Sequence, residues 1–172
     1  MKVLKDILFG VPLQSVSGST DVQISDVIFD SRAVKKDALF VAIKGDSQDG
    51  HNYIDVAIEN GAVAVLCQEM PEELKQGVTY FSCPNPRRAL ATVATRWYEN
   101  PSAELKLVGI TGTNGKTSVA TMAYQLFHQL GYNTGLLSTV EIRISDEIVA
   151  STHTTPDVLT LNKTLRAMVD AG

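Results

Sequence analysis

The sequence has few cysteines and no long apolar run, which argues against proteins that are disulfide-rich, bind metal through cysteine or span a membrane. Its 172 residues contain only two cysteines, Cys67 and Cys83, and their spacing fits no metal-binding motif. We interpret both as buried, reduced thiols. No apolar run approaches the roughly 18–20 residues that a membrane-spanning helix needs, and no small-residue cleavage site follows the N-terminal segment. We therefore expect a cytoplasmic protein without membrane insertion.

Basic residues are also scarce. Fifteen Lys and Arg residues against nineteen Asp and Glu residues give a formal net charge of −4. A protein that binds nucleic acid usually carries a basic surplus, because it must neutralise backbone phosphates. We therefore expect no nucleic-acid partner. The hydrophobic content of 44% is ordinary for a globular protein.

Residues 109–118, with the sequence GITGTNGKTS, are rich in glycine and lie between two contrasting segments. The apolar run over 105–110 predicts a strand. Apolar residues at helical spacing from Val119 onward predict a helix that stops before Gly131. A strand, a glycine-rich loop and a helix in this order are typical of phosphate-binding loops. The longer form of the pattern has its first glycine where this sequence has Ile110, so the loop is a shorter variant.

The residue types in this loop suit a nucleoside triphosphate. Gly112 and Gly115 let the backbone curl so that its N–H groups converge on a phosphate. Lys116 supplies a mobile positive charge for the outer phosphates, and Thr117 supplies a hydroxyl that can bind Mg²⁺. We interpret the segment as an ATP-binding loop, with Mg²⁺ as the accompanying ion.

Short strands alternate with helices along the rest of the chain, which predicts an α/β fold with parallel sheets. Before a break at Asn100-Pro101-Ser102, we predict strands over 27–30, 38–43, 62–67 and 78–82 and helices over 53–60 and 86–99. After it, we predict a strand over 133–138, a hairpin of 141–144 with 147–150, and a helix over 157–171. The break divides the chain into domains of residues 1–101 and 102–172. The second has few strands for a nucleotide-binding sheet, so we expect a piece of a longer enzyme that is inactive alone.

Four segments, in order and in register, resemble the Mur ligases. Asp30-Ser31-Arg32 with the following LFVA run, and the later segment Asp49-Gly50-His51-x-Tyr53-Ile54, resemble the N-terminal domain of that family. The GTNGKT loop over 112–117 resembles its ATP loop. His153-Thr154-Thr155-Pro156 resembles a segment of the family member that adds the third residue of the peptidoglycan stem peptide.

The resemblance implies a small N-terminal α/β UDP-binding domain followed by the start of a P-loop-type parallel-sheet ATP-binding domain. It also implies a peptide-bond-forming ligase of cell-wall synthesis. The carboxylate of UDP-N-acetylmuramoyl-L-alanyl-D-glutamate would attack the γ-phosphate of ATP. The amine of meso-diaminopimelate or L-lysine would then displace phosphate from the acyl phosphate.

The same resemblance assigns candidate site residues to both substrates. Lys116 would be the catalytic residue and Thr117 the Mg²⁺ ligand. The ATP phosphates would be bound by the loop residues Gly112, Thr113, Asn114, Gly115, Lys116, Thr117 and Ser118. The UDP-sugar would be bound by Phe29, Ser31, Asp46, Ser47, Gln48, Thr154 and Thr155.

Several of these segments also have a purely structural interpretation. Asp30-Ser31-Arg32 could be a turn that ends a strand, because Asp and Ser favour turns. Asp49-Gly50 could be a tight turn before a helix, with His51 a solvent-facing residue at the helix start. Thr155 could cap the last helix, with Pro156 at its first position.

Three other functions remain open from the sequence. One is another Mur ligase step, such as that of MurF. A second is a ligase of the folylpolyglutamate synthetase type, which shares the ATP loop but has no Asp-Ser-Arg domain before it. The third is a non-catalytic module that senses nucleotides or UDP-sugars.

Overall fold

Strands and helices alternate along the chain, as the apolar runs predict, and the α/β fold class is confirmed. The computed structural model describes residues 1–45, 48–145, 147–150 and 156–172. The chain divides into two units, Met1–Trp97 and Tyr98–Gly172.

The first unit contains seven strands and three α-helices among its described residues. The strands are β1 (Lys2–Val3), β2 (Ser15–Ser17), β3 (Gln23–Ile24), β4 (Asp26–Ile28), β5 (Ala38–Val41), β6 (Ala62–Cys67) and β7 (Thr79–Ser82). The α-helices are α1 (Leu4–Ile7), α2 (Ile54–Glu59) and α3 (Pro86–Trp97), and two 3-10 helices span Ser31–Ala33 and Gly50–Tyr53.

A five-stranded sheet, in the order β2-β7-β6-β5-β4, organises this unit. Strands β4 to β7 are parallel, and β2 pairs with β7 in the antiparallel direction. All four residues of β5 and all four of β7 are buried. Parallel strands covered on both faces have this continuous apolar character, which is why the sequence predicted β5 and β6 well.

Helices cover the sheet with small and branched apolar side chains. On one side Ile54 and Ala57 of α2 join a buried cluster with Phe40, Val65 and Tyr80 of the sheet. Full burial of each large apolar side chain stabilises the fold by about 1.5–3 kcal/mol. Helix α3 begins at a proline, where a missing N–H is harmless. The side chain of Asn85 accepts a hydrogen bond from the Arg88 N–H at 2.9 Å.

The second unit combines two long helices with a small sheet. Its described elements are α4 (Lys116–Gln129), β8 (Gly135–Leu137), β9 (Glu141–Ile144), β10 (Glu147–Ala150) and α5 (Val158–Asp170), with a 3-10 helix over Pro101–Ala103. The predicted hairpin is confirmed as β9 and β10, and β8 adds to it in the antiparallel direction. Tyr124 of α4 donates a hydrogen bond from its hydroxyl to the carbonyl of Ser145 at 2.9 Å, which joins the helix to the hairpin turn.

The predicted strand over 105–110 is absent from the described structure. Leu107 and Val108 are 60% and 70% exposed, and the segment has no regular secondary structure. A strand exists only through hydrogen bonds to a neighbour, and no described strand pairs with this segment. The prediction of a strand over 105–110 is therefore wrong. Apolar composition indicates β propensity, but it does not indicate whether a partner strand is present.

Gly61 offers a test of packing in the first unit. It has a φ of 111°, and an added Cβ would lie 2.8 Å from the Cα of Lys36. We expect Gly61→Ala to destabilise the chain by about 3 kcal/mol, because left-handed strain of about 1–2 kcal/mol adds to overpacking. Urea denaturation measures this change.

Gly77→Ala is the matched control for that substitution. Gly77 also has a positive φ, of 84°, but an added Cβ meets nothing within 4 Å. It should therefore lose only the backbone strain, about 1–2 kcal/mol. Equal losses in the two variants would contradict the close approach to Lys36.

Candidate functional site

Three loops of the first unit leave the same edge of the sheet. Phe29 follows β4, Gln48 lies in the loop after β5, and Gln68 follows β6. These three strands are adjacent and parallel, so their carboxyl ends meet at one edge. Ligands of open parallel α/β sheets bind at such edges. Of the predicted UDP-sugar residues, the structure describes Phe29, Ser31 and Gln48, and all three lie in the segments that leave this edge.

The Asp30-Ser31-Arg32 segment is a capped turn. Asp30 accepts hydrogen bonds from the backbone N–H of Arg32 at 3.0 Å and from its guanidinium at 2.9 and 2.7 Å. The side-chain bonds from Arg32, followed by its backbone bond, lower the pKa of the Asp30 carboxyl. The turn interpretation is thus confirmed, and it leaves a binding role for this segment open, since Phe29 beside it is 39% exposed.

Ser31 is buried, and a residue outside the sequence prediction fixes it. The side-chain amide of Asn60 donates a hydrogen bond to the Ser31 carbonyl at 3.0 Å. Asn60 is the C-cap of α2, and the sequence marked this position only as a helix end before Gly61. The contact joins residues 29 positions apart, so no local pattern could have indicated it.

The loop after β5 is closed by backbone hydrogen bonds at its described ends. The Gly45 N–H donates to the Gln48 carbonyl at 2.8 Å, and the Gly50 N–H donates to the Ile43 carbonyl at 2.9 Å. Lys44 and Asp49 form an isolated antiparallel bridge between them. The predicted residues Asp46 and Ser47 lie outside the described residues.

His51 is not the solvent-facing residue that the structural interpretation expected. Its side chain is 20% exposed and bonds at both ring nitrogens. Nδ1 lies 2.6 Å from the carboxylate of Asp49, and Nε2 accepts a hydrogen bond from the backbone N–H of Gln68 at 2.9 Å. The backbone and side-chain bonds of His51 are the main causes that lower the pKa of the Asp49 carboxyl.

A polar cavity of about 660 Å³ lies beside this histidine. The residues after β6 form one wall and the start of α2 forms another. At the cavity Lys75 pairs with Asp55 at 2.8 Å, and Glu69, Glu72 and Glu73 add negative charge. Among the described residues no group of three His, Cys, Asp or Glu side chains is arranged to hold a metal ion.

The glycine-rich loop of the second unit leads directly into a helix, as predicted. Gly112 and Gly115 have φ values of 152° and 75°, which are backbone conformations that glycine adopts readily. Gly115 is the N-cap of α4 and provides no side-chain bond. The first N–H groups of α4 therefore have no side-chain cap, and such groups, with the helix dipole, favour an anion.

Lys116 folds back over the loop. Its ammonium donates hydrogen bonds to the Gly112 carbonyl at 2.6 Å and the Thr113 carbonyl at 3.4 Å. Residues Gly112 to Lys116 and Ser118 are exposed. The positive charge is thus placed at the loop together with the start of α4, where an anionic phosphate would be attracted by both.

Thr117 has a neighbour that the sequence did not indicate. Its hydroxyl lies 3.2 Å from the hydroxyl of Thr139, in the turn between β8 and β9. Twenty-two positions separate the two residues, so the pairing depends on how the sheet lies against α4. The hydroxyls fit an Mg²⁺ ion that takes most of its ligands from phosphate oxygens and water.

The segment before α5 departs from the sequence expectation in one respect. Asp157, rather than Thr155, caps the helix, because its carboxylate accepts hydrogen bonds from the N–H groups of Leu159 and Thr160 at 2.9 and 3.0 Å. An aspartate cap is among the strongest available. The predicted substrate residues Thr154 and Thr155 lie outside the described residues.

A parallel sheet with loops gathered at its carboxyl edge, followed by a glycine-rich loop at a helix start, defines an α/β protein with a P-loop-type segment. The model of the Mur ligase family, catalytic domain, matches residues 23–98, and that of the Mur ligase middle domain matches residues 110–172. The chain belongs to the Mur ligase family.

Two of the similar proteins carry the same printed name. The chain is 51% identical over 170 residues to the UDP-N-acetylmuramoyl-L-alanyl-D-glutamate--2,6-diaminopimelate ligase of Cytophaga hutchinsonii, covering 98% of this chain and 35% of that protein. It is 47% identical over 169 residues to the ligase of the same name from Bacteroides fragilis, again covering 98% and 35%. The chain thus spans about a third of the length of these relatives.

A solved structure of a ligase with this name supports the fold. It superposes with a TM-score of 0.73 at 21% identity, covering 99% of this chain and 34% of that one. In the described part of the chain, no helix has the length and apolar character needed to span a membrane.

The Asp30–Arg32 pair gives a test of the first turn. In Arg32→Met the pKa of Asp30 should rise toward its ordinary value near 3.8, but only in part, because the backbone N–H of residue 32 still donates. A lowered pKa in the folded state stabilises the fold above that ordinary value, and this contribution is lost as the pH falls through the folded pKa. Carboxyl NMR titration measures the change, and Asp49 in the same variant is the internal control. An unshifted Asp30 would contradict the side-chain contacts.

Proposed function

We propose that this chain is the nucleotide-sugar- and ATP-binding part of a ligase that performs the MurE step. The enzyme would join 2,6-diaminopimelate to UDP-N-acetylmuramoyl-L-alanyl-D-glutamate at the expense of ATP. The observation that carries the proposal is the 51% identity over 98% of this chain to a relative with that printed name. Residues 1–101 would bind the UDP-sugar, and residues 102–172 would begin the ATP-binding domain.

The sheet edge of the first unit supports the nucleotide-sugar assignment. Phe29 offers an exposed aromatic ring, which suits stacking on a uracil base. Ser31 and Gln48 lie on neighbouring loops, and their backbones are fixed by Asn60 and Gly45 respectively. A preorganised edge of this kind reduces the entropy lost on binding. Asp46, Ser47, Thr154 and Thr155 remain candidate contacts.

The loop before α4 supports the ATP assignment. When the substrate carboxylate attacks the γ-phosphorus, the bond to the β,γ-bridging oxygen breaks and ADP leaves. Negative charge spreads over the transferring phosphoryl group. The N–H groups at the start of α4 are preorganised to stabilise that charge, and the ammonium of Lys116 would add a positive charge beside them. Lys116 must first leave the carbonyls of Gly112 and Thr113, to which it now donates.

The second chemical step requires a free amine. The amine of the incoming amino acid attacks the acyl carbon, and inorganic phosphate leaves as the amide forms. Mg²⁺, when bound, would neutralise phosphate charge. Thr117, with Thr139 beside it, is the residue of this chain that would hold it.

The direct test is phosphate release by the full-length protein of which this chain is part. With ATP, Mg²⁺ and UDP-N-acetylmuramoyl-L-alanyl-D-glutamate, we expect release that depends on meso-diaminopimelate. Reactions with L-lysine, with D-alanyl-D-alanine and the tripeptide substrate, and without an amine are the controls. Release with L-lysine alone would show that the amino acid added is L-lysine. Release with the dipeptide would assign the protein to the MurF step. No release with any amine would favour a sensing module.

Lys116→Ala separates the two proposed sites. In the full-length enzyme we expect kcat to fall by about 10²- to 10³-fold, as on loss of one group that stabilises charge in the transition state. UDP-sugar affinity, measured by calorimetry, should stay unchanged. Lys163→Ala, on the exposed face of α5, removes the same charge elsewhere in the second unit and should leave both quantities unaltered. Loss of UDP-sugar binding in Lys116→Ala would contradict the separation.

A further inference from the structure

We propose that His51 is a positioning residue for the UDP-sugar site: it fixes the chain around Gln48 to the end of β6 through hydrogen bonds at both ring nitrogens. The inference rests on the proposed function, because the ligand is the UDP-sugar assigned there. It goes beyond that function by adding a residue that is not itself a proposed ligand contact. The described ring bonds of His51 go to Asp49 and Gln68, so His51 would act on the ligand through the loop backbone.

The two hydrogen bonds define the protonation of the ring. The N–H of Gln68 can only donate, so Nε2 must accept and the single proton of neutral histidine lies on Nδ1. Nδ1 then donates to the Asp49 carboxylate, 2.6 Å away. His51 therefore links the end of β6 to the capping residue Asp49. Nε2 makes the bond to Gln68, and Nδ1 makes the bond to Asp49.

Asp49 connects His51 to the backbone of the loop after β5. Its carboxylate also accepts the N–H of His51 at 3.0 Å, and its backbone forms the bridge to Lys44. Next to it Gly50 approaches the chain so closely that an added Cβ would lie 2.7 Å from the backbone nitrogen of Ile43. Gln48 adjoins Asp49 and is bonded to Gly45, so its position depends on the same closure.

A similar turn in the same unit shows that capping alone does not require such a bridge. Asp30 also accepts the N–H two residues later, at 3.0 Å, and the side chain of that residue, Arg32. The Arg32 side chain is 87% exposed, whereas that of His51 is 20% exposed. The described bonds of Arg32 stay within its own turn, but His51 reaches a residue 17 positions away. That contact sets the spacing between two loops at the binding edge.

Three substitutions at position 51 separate the two halves of the bridge. In His51→Asn the side-chain N–H₂ can replace Nδ1 toward Asp49 but is too short to reach Gln68. In His51→Gln the amide oxygen can replace Nε2 toward Gln68 while the bond to Asp49 is lost. His51→Phe keeps a ring and loses both bonds. Lys75→Met is the matched control, because it breaks an exposed ion pair at the same cavity without touching the loop.

The first readout needs no ligand. Amide hydrogen exchange of Gly45 and Gly50 reports closure of the loop, and ¹⁵N chemical shifts of the His51 ring report its tautomer. We expect a protonated Nδ1 in the wild type and exchange at least several-fold faster in His51→Phe. The Asn and Gln variants should be intermediate, and Lys75→Met should match the wild type. Unchanged exchange in all three variants overturns the inference.

The second readout is the calorimetric affinity of the full-length enzyme that contains this chain for UDP-N-acetylmuramoyl-L-alanyl-D-glutamate. We expect about tenfold weaker binding in His51→Phe, since each lost hydrogen bond contributes a factor of a few, and partial recovery in the other two variants. Faster exchange with unchanged affinity overturns the positioning role while the proposed function stands. If the wild-type full-length enzyme protects Gly45 and Gly50 from exchange but has no affinity for the UDP-sugar, the UDP-sugar assignment is overturned and the inference with it.

Discussion

Parallel pairing of β4, β5, β6 and β7 is the constraint on which the first unit depends. Parallel strands need crossover connections, and here these connections supply α2 and the loops that carry the candidate site. The strands satisfy each other's backbone groups, and their side chains are buried on both faces. Because all four run in one direction, every loop that follows a strand leaves at the same edge. The sheet therefore gathers Phe29, Gln48 and Gln68 at one edge.

Side chains that satisfy backbone groups hold these loops in place. Asp30 and Asp49 cap the two 3-10 helices, Asn60 binds the carbonyl of Ser31, and His51 binds the N–H of Gln68. Loops satisfy only part of their own backbone, so polar side chains supply further partners. The same principle is reversed at α4, where Gly115 leaves the helix start without a side-chain cap. A ligand can supply what the protein omits there.

Sequence predictions were mostly accurate where the interactions are local in sequence, and they failed where the interactions join distant residues. The run Ala62–Cys67 and the helix Lys116–Gln129 were predicted closely, because apolar period and flanking glycines are local signals. The segment over 105–110 failed because a strand needs a partner that composition does not specify. The interpretation of Thr155 as the cap of α5 was wrong, because Asp157, two residues later, is the cap. Threonine and aspartate are both good caps, so residue type alone could not decide between them.

The sequence by itself determined the glycine-rich loop, its lysine and threonine, the alternation of strands and helices, and the family resemblance that the comparisons confirmed. Each of these is written in adjacent residues, whose chemistry or periodicity can be read directly. Only the tertiary structure decided that Thr139 lies beside Thr117, that Asn60 binds Ser31, and that His51 is tied to Gln68. These contacts join residues 17 to 29 positions apart, and such distances close only when the sheets and helices pack.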